Sequence, residues 1–200
     1  RSGPRNDYPI ISDLSCSSDG KIFAVTWQNR NYNTSHGGRP YAYHAQVYRY
    51  NKDSSYEYDY EEEQFDLMLD LSHTGYGHWF DSVCVNDSGN IIAFAHGPKD
   101  DPSDGRYGND HNRWGETLAQ QDGYGGVEVY HSGDQSSEFK SIFQSFGHEP
   151  SDSYGKNIAM NASGNLLAIL SAQGSTPIGN RDNPNSGVKI DVHDISPLIP

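Results

Sequence analysis

Three stretches of the chain share one pattern of polar and apolar positions. Each is a polar turn that ends in glycine, followed by an apolar run with an alanine four residues after that glycine. They are Ser18-Asp19-Gly20-Lys21-Ile22-Phe23-Ala24-Val25, Asn86-Asp87-Ser88-Gly89-Asn90-Ile91-Ile92-Ala93-Phe94-Ala95 and Ala162-Ser163-Gly164-Asn165-Leu166-Leu167-Ala168-Ile169. The turn glycines Gly20, Gly89 and Gly164 are 69 and 75 residues apart. Recurrence at a near-constant period is the signature of a repeat architecture.

Around each turn the chain repeats the same order of elements. An unbroken apolar run such as Ile22-Phe23-Ala24-Val25 predicts a strand covered on both faces. An alternating run such as Ala45-Gln46-Val47-Tyr48-Arg49-Tyr50 predicts a half-buried strand. The first unit, 1–72, reads as strands over 10–16, 21–27, 45–50 and 65–71. In the last of these, Phe65, Leu67, Leu69 and Leu71 are expected to share one face. The second unit, 73–146, reads as strands over 82–85, 91–95, 127–130 and 139–143. The third, 147–200, reads as strands over 157–160, 166–170 and 188–192, with Val188, Ile190 and Val192 on one face and no fourth strand. No window sustains a helical period.

The expected fold is therefore all-β: three antiparallel up-down sheets, the last incomplete. The inner pair of strands is apolar throughout and the outer pair alternates, which is the gradient of a β-propeller blade. A lone four-stranded sheet cannot bury both faces, so the units must stack. Three blades do not close a ring of the roughly four to eight that propellers use. Further blades, from a longer chain or from other copies in an oligomer or filament, are the expected partners.

Composition agrees with short strands and many turns: the 200 residues include 14 Tyr, 21 Gly and 10 Pro. Fourteen Lys and Arg against 27 Asp and Glu leave a net charge of −13. A field of that sign repels phosphate backbones and anionic lipid, which excludes nucleic acid and membrane surfaces as expected partners. No run of 18 apolar residues predicts a membrane span. Residues 1–7 lack the apolar stretch of a signal peptide, so a secreted form implies one upstream or already removed. Two cysteines, Cys16 and Cys84, do not make a disulfide framework. Counted from the turns they point to opposite faces of equivalent strands. The reading is two buried free thiols, with a bridge between neighbouring sheets open only if their Cα atoms lie within roughly 7 Å.

The units resemble FG-GAP repeats, the blades of integrin-α-like propellers. The resemblance rests on Tyr154-Gly155-Lys156-Asn157-Ile158-Ala159-Met160-Asn161-Ala162-Ser163-Gly164-Asn165-Leu166-Leu167-Ala168-Ile169, on Gly126-Val127-Glu128-Val129-Tyr130 and on Gly187-Val188-Lys189-Ile190. Trp79-Phe80 replaces the Phe-Gly pair in the second unit. The family's Gly-Ala-Pro segment is replaced by Thr26-Trp27-Gln28, Ala95-His96-Gly97 and Leu170-Ser171-Ala172. A WD40-type propeller shares the turn and the Val-x-Val-Tyr strand. Its short hairpins contrast with the 27, 38 and 24 residues that separate Gly20 from Val47, Gly89 from Val127 and Gly164 from Val188.

Some FG-GAP members bind calcium, and Asp100, Asp101, Asp104 and Asp110 are the candidate ligands here. Their spacing departs from a regular calcium loop, and a solvated acidic loop is the plainer reading. Nine histidines are scattered without the close pairs zinc requires. No Gly-x-Ser-x-Gly elbow is present, and no catalytic residue is assigned. Asn33, Asn86 and Asn161 head glycosylation sequons; the last two share one turn position, expected to be exposed. Trp27, Tyr32, Tyr41, Tyr107, Trp114 and Tyr124 fall in the long connections between second and third strands. They are expected to emerge on one rim as recognition loops.

Together these features predict a non-enzymatic, cofactor-free structural or adhesion module outside the cell. It would present its loops to a protein or glycan. A propeller hydrolase or lyase acting on polysaccharide, and a WD40-like intracellular scaffold, are the alternatives.

Overall fold

In the computed structural model, residues 7–31, 40–51, 65–71, 73–74, 80–96, 125–133, 138–147, 154–173 and 187–199 are described. They form three antiparallel sheets. The first holds β1 (Asp7–Cys16), β2 (Ile22–Asn31), β3 (Pro40–Tyr50) and β4 (Phe65–Asp70) in that order, and β5 (His73–Thr74) also pairs with β3. The second holds β6 (Phe80–Val85), β7 (Ile91–His96), β8 (Gly126–His131) and β9 (Lys140–Phe146). The third holds β10 (Asn157–Met160), β11 (Leu166–Gln173) and β12 (Gly187–Asp194). Among the described residues the only helical element is a 3-10 turn, Ser196–Leu198. The fold is all-β, with blade-type sheets in which, β5 apart, every neighbour is the next strand in sequence.

Two apolar cores hold the stack together. Between the first and second sheets lie Ile22, Ala24, Tyr43, Ala45 and Val47 against Val83, Ile92, Phe94 and Tyr130. Between the second and third lie Ile91, Ala93, Ala95, Val127 and Val129 against Ile158, Leu167, Ile169 and Ile195. The second sheet is thus covered on both faces, and β7 is buried at every position, as its unbroken apolar run predicts.

The three repeated turns are superposable in their hydrogen bonds. In each, the first turn residue accepts on its side chain from the first strand amide: Ile22 N–H to Ser17 Oγ at 3.0 Å, Ile91 N–H to Asn86 Oδ1 at 3.0 Å, Leu166 N–H to Asn161 Oδ1 at 2.9 Å. This is the local bonding for which Ser and Asn are favoured in turns. The turns also bond to one another. The Ser18 N–H donates to the Asp87 carbonyl at 3.0 Å, and the Asp87 N–H donates to the Ala162 carbonyl at 3.0 Å.

Glycine is required at two of these turns for space as well as for backbone angle. Gly89 (φ +73°) and Gly164 (φ +77°) lie in the left-handed region. A methyl group on Gly89 would stand 2.7 Å from Ile22 Cγ1, and one on Gly164 would stand 2.7 Å from Ile91 Cδ1. Each turn therefore rests on the first residue of the second strand of the preceding sheet. Edge contacts add to this: Asp13 Oδ2 on β1 accepts from Ser82 Oγ and from the Val83 N–H, both at 2.9 Å, tying β1 to β6.

Three expectations need correction. The residues Phe65, Leu67, Leu69 and Leu71 do not share a face. The β3–β4 register slips by one between Val47–Leu69 and Tyr48–Leu67, so Met68 is an extra residue and the alternation reverses there. Phe65 and Leu67 are exposed, whereas Met68, Leu69 and Leu71 pack on the core. Second, β8 is buried at every position rather than half-buried, because both faces of its sheet are covered. Third, β2 is covered fully on only one face: Phe23, Val25 and Trp27 are partly exposed, because among the described residues no sheet packs on their side.

The turn packing yields an ordered prediction. At Gly20 (φ +67°) a methyl meets nothing within 4 Å, so Gly20→Ala costs only the left-handed backbone term, about 1–2 kcal/mol. Gly89→Ala and Gly164→Ala add an overpacking cost of about 1–3 kcal/mol each. Urea unfolding followed by circular dichroism should rank both well below Gly20→Ala in stability; equal losses at all three would refute the packing account.

Candidate functional site

The alternation of β2, β3 and β12 leaves a second face on each terminal sheet, and among the described residues these two faces carry every exposed large hydrophobic side chain except Leu198. On the first sheet, Ile11 and Leu14 of β1 and Phe65 and Leu67 of β4 are exposed, flanking Phe23, Val25 and Trp27 of β2. On the third sheet, Leu166 of β11 and Val188, Ile190 and Val192 of β12 are exposed. Contiguous apolar patches of this kind mark interaction sites.

The first-sheet face is aromatic, and its rings contact one another. The Trp27 and His44 rings stack at 3.7 Å, 8° from parallel. Trp27 Nε1–H donates to Gln46 Oε1 at 3.0 Å, and Tyr48 Oη–H donates to the same oxygen at 2.9 Å. Phe65 meets Phe23 edge-on at 6.1 Å and Tyr50 at 5.4 Å. Burial lowers the proton affinity of His44, against the opposing pull of Asp70. The third-sheet face is aliphatic; Lys189 and Asp191, paired at 2.9 Å, take the alternate positions of β12 on its other side.

One carboxylate lies inside the stack. Glu128 of β8 is buried between the first two sheets, where Tyr130 Oη–H and Gln144 Nε2–H both donate to it. Burial pushes its carboxyl up from the ordinary range, with those two hydrogen bonds opposing. It is closed off from solvent, so its role here is to satisfy the polar groups of the interface. Sequence reasoning took the β8 alternation as a sign of an exposed side and so missed it. Tyr154, the aromatic residue of the Tyr154-Gly155 motif, plays a comparable part between the second and third sheets. Its Oη lies 2.7 Å from Ser145 Oγ and 3.3 Å from His193 Nε2.

The residues singled out from the sequence divide as follows. Trp27 and Tyr41 belong to β2 and β3, which run further than expected, and not to the loop between them. Trp27 lies on the aromatic face described above. Tyr32, Tyr107, Trp114 and Tyr124, the carboxylates Asp100, Asp101, Asp104 and Asp110, and Asn33 lie outside the described residues. Asn86 and Asn161 do not share the exposure expected of them. Asn86 is buried, and its Nδ2 donates to Ser88 Oγ at 3.0 Å and Asn90 Oδ1 at 2.9 Å under the following turn. Asn161, which no turn covers, is exposed. The thiols are also unlike. Cys84 is half-buried against the second core and its thiol is pushed up to about 12, chiefly by burial, but Cys16 is exposed, where burial was expected; both are free. Cys16 lies on the uncovered side of the first sheet, and this accounts for the difference. Among the described residues no group of three or more His, Cys, Asp or Glu is placed to hold a metal ion.

Solved structures offer a distant likeness. No family model matches the chain, and no curated protein matches it. Among solved structures, the chain is similar to the β-propeller domain of Cps50 (Swd1) from Myceliophteria thermophila, at 9% identity and a TM-score of 0.29. The match covers 89% of this chain and 57% of that one, so the chain spans little more than half the length of the structure it matches.

Two outcomes follow from the buried groups. The folded state holds the Glu128 proton more tightly than the unfolded state, so its contribution to stability is complete below the ordinary glutamate value of 4.5. It is lost as pH rises through the raised folded value. Glu128→Gln should flatten the decline of stability with pH above 4.5 in a urea titration series; an unchanged slope would show that Glu128 titrates normally. In a Cys16→Ser background, Cys84 should resist Ellman's reagent in the native state and react fully in denaturant.

Proposed function

We propose that the chain is a non-enzymatic interaction module of propeller blades, working outside the cell in a structural or adhesive role. The observation that carries this is the pair of uncovered apolar faces at the two ends of a three-sheet stack. Each internal sheet boundary is sealed, so the terminal faces stand ready for further blades, from a longer chain or from other copies. Connections between second and third strands then serve as contact loops for a protein or glycan. The acidic composition, the exposed Asn161 sequon and the motifs around Tyr154-Gly155 and Gly126-Val127 favour a secreted, FG-GAP-like context. No cofactor enters this role.

A sample made through a eukaryotic secretory pathway should carry a glycan on Asn161, read by glycopeptide mass spectrometry. It should also be retained by at least one class on an array of glycans and matrix proteins. An unmodified Asn161 together with an array that retains nothing would retire the adhesion reading.

A further inference from the structure

The two terminal faces are the two halves of one interface. Counted from the turn glycines, Leu14, Val83 and Ile158 occupy one position, on the side of each sheet that meets the sheet before it. Val83 and Ile158 are 4% and 6% exposed because a preceding sheet covers them; Leu14 is 59% exposed. Ile22, Ile91 and Leu166 occupy another position, on the opposite side. Ile22 and Ile91 are 0% and 2% exposed beneath the glycine of the following turn; Leu166 is 42% exposed. Gly20, the one turn glycine with open space around its Cα, is the glycine that has no preceding sheet to rest on.

The chemistry of the boundary between the first and second sheets recurs on the two uncovered faces. The rear side of the second sheet offers Phe80, Phe94 and Tyr130 to its predecessor. The rear side of the first sheet offers Phe23, Trp27 and Tyr48. The front sides of the first two sheets are mostly small and aliphatic: Ala24, Ala45 and Val47 beside Tyr43, then Ala93, Val127 and Val129. The front side of the third sheet continues the series with Ala168, Ile190 and Val192. The turn ladder has matching ends too. Its bonds run from each turn's N–H to the next turn's carbonyl, so the Ala162 N–H stands at one end and the Ser18 carbonyl at the other.

We propose that the front face of the third sheet receives the rear face of the first sheet of a second copy, and the reverse contact closes a ring of two chains. This rests on the reading of the chain as an assembling module and names its partner. The Leu166 side chain lies under Gly20 of the second copy, and the Ala162 N–H donates to its Ser18 carbonyl, continuing both internal junctions. Two copies supply six sheets, within the roughly four to eight that close a propeller. The head-to-tail contact occurs twice about a two-fold axis and leaves no apolar end face uncovered.

Light scattering coupled to size exclusion tests this at micromolar concentration. The expected particle has twice the 22.2 kDa chain mass. Val192→Glu and Leu14→Glu each place a charge in the contact and should weaken the dimer on the order of a hundredfold or more, with an unchanged circular dichroism spectrum. Both residues are exposed in the single chain; should glutamate nonetheless unfold a sheet, Val192→Thr and Leu14→Ser carry the same test. Mixing the two glutamate variants should restore two-chain particles, because one intact front face meets one intact rear face. A monomeric native chain, a dimer sensitive at only one face, or an open-ended filament would overturn the proposal. A monomer that still retains a glycan or matrix protein would sink this inference and leave the interaction reading standing.

Discussion

The seating of one turn glycine on the residue that opens the second strand of the preceding sheet is the contact on which the architecture depends. Gly89 sits on Ile22 and Gly164 on Ile91, each closer than any Cβ would permit. The left-handed backbone at the glycine turns the chain back on itself, and the missing side chain lets the next sheet approach. Both demands fall on the same residue, so the turn that starts a strand also sets the spacing between sheets. The backbone bonds from Ser18 to Asp87 and from Asp87 to Ala162 hold that spacing at the same place. A repeat protein whose units cannot bury themselves alone needs such a device at each junction.

From that spacing follows the distribution of burial. The second sheet is pressed from both sides, so even its alternating strand is wholly interior, and a carboxylate on that strand must be satisfied within the protein. Tyr130 and Gln144 do this for Glu128. On the first sheet the equivalent position is Gln46, which accepts from Tyr48 and Trp27 on an uncovered face. The same strand position is polar in both sheets, and its neighbours supply donors in both. What differs is solely whether another sheet lies above it.

The contrast between equivalent residues also explains the thiols and the sequons. Cys16 and Cys84 lie one position apart in register on equivalent strands, and so they face opposite ways. Cys16 faces the side with no preceding sheet; Cys84 faces the second core. Asn86 and Asn161 make the same bonds within their turns, yet Asn86 lies beneath the third turn and Asn161 beneath nothing. Position in the stack, and not local sequence, decides which side chain meets water.

The repeat, the strand order and the identity of most strands were legible in the sequence because they depend on local rules. A glycine in a polar turn, an apolar run and a period of two are written within a few residues. The expectation of a stacked, all-β array rested on these and held, as did the shared face of Val188, Ile190 and Val192. The bulge at Met68, the burial of Glu128 and Asn86, and the exposure of Cys16 were not legible. The bulge depends on the register between β3 and β4; the others depend on what lies across a sheet boundary, where the contacting residues are some 70 positions apart in the chain. Sequence pattern determined that each unit has two faces to cover; only tertiary structure decided which were covered, because coverage belongs to the neighbouring sheet and not to the strand itself.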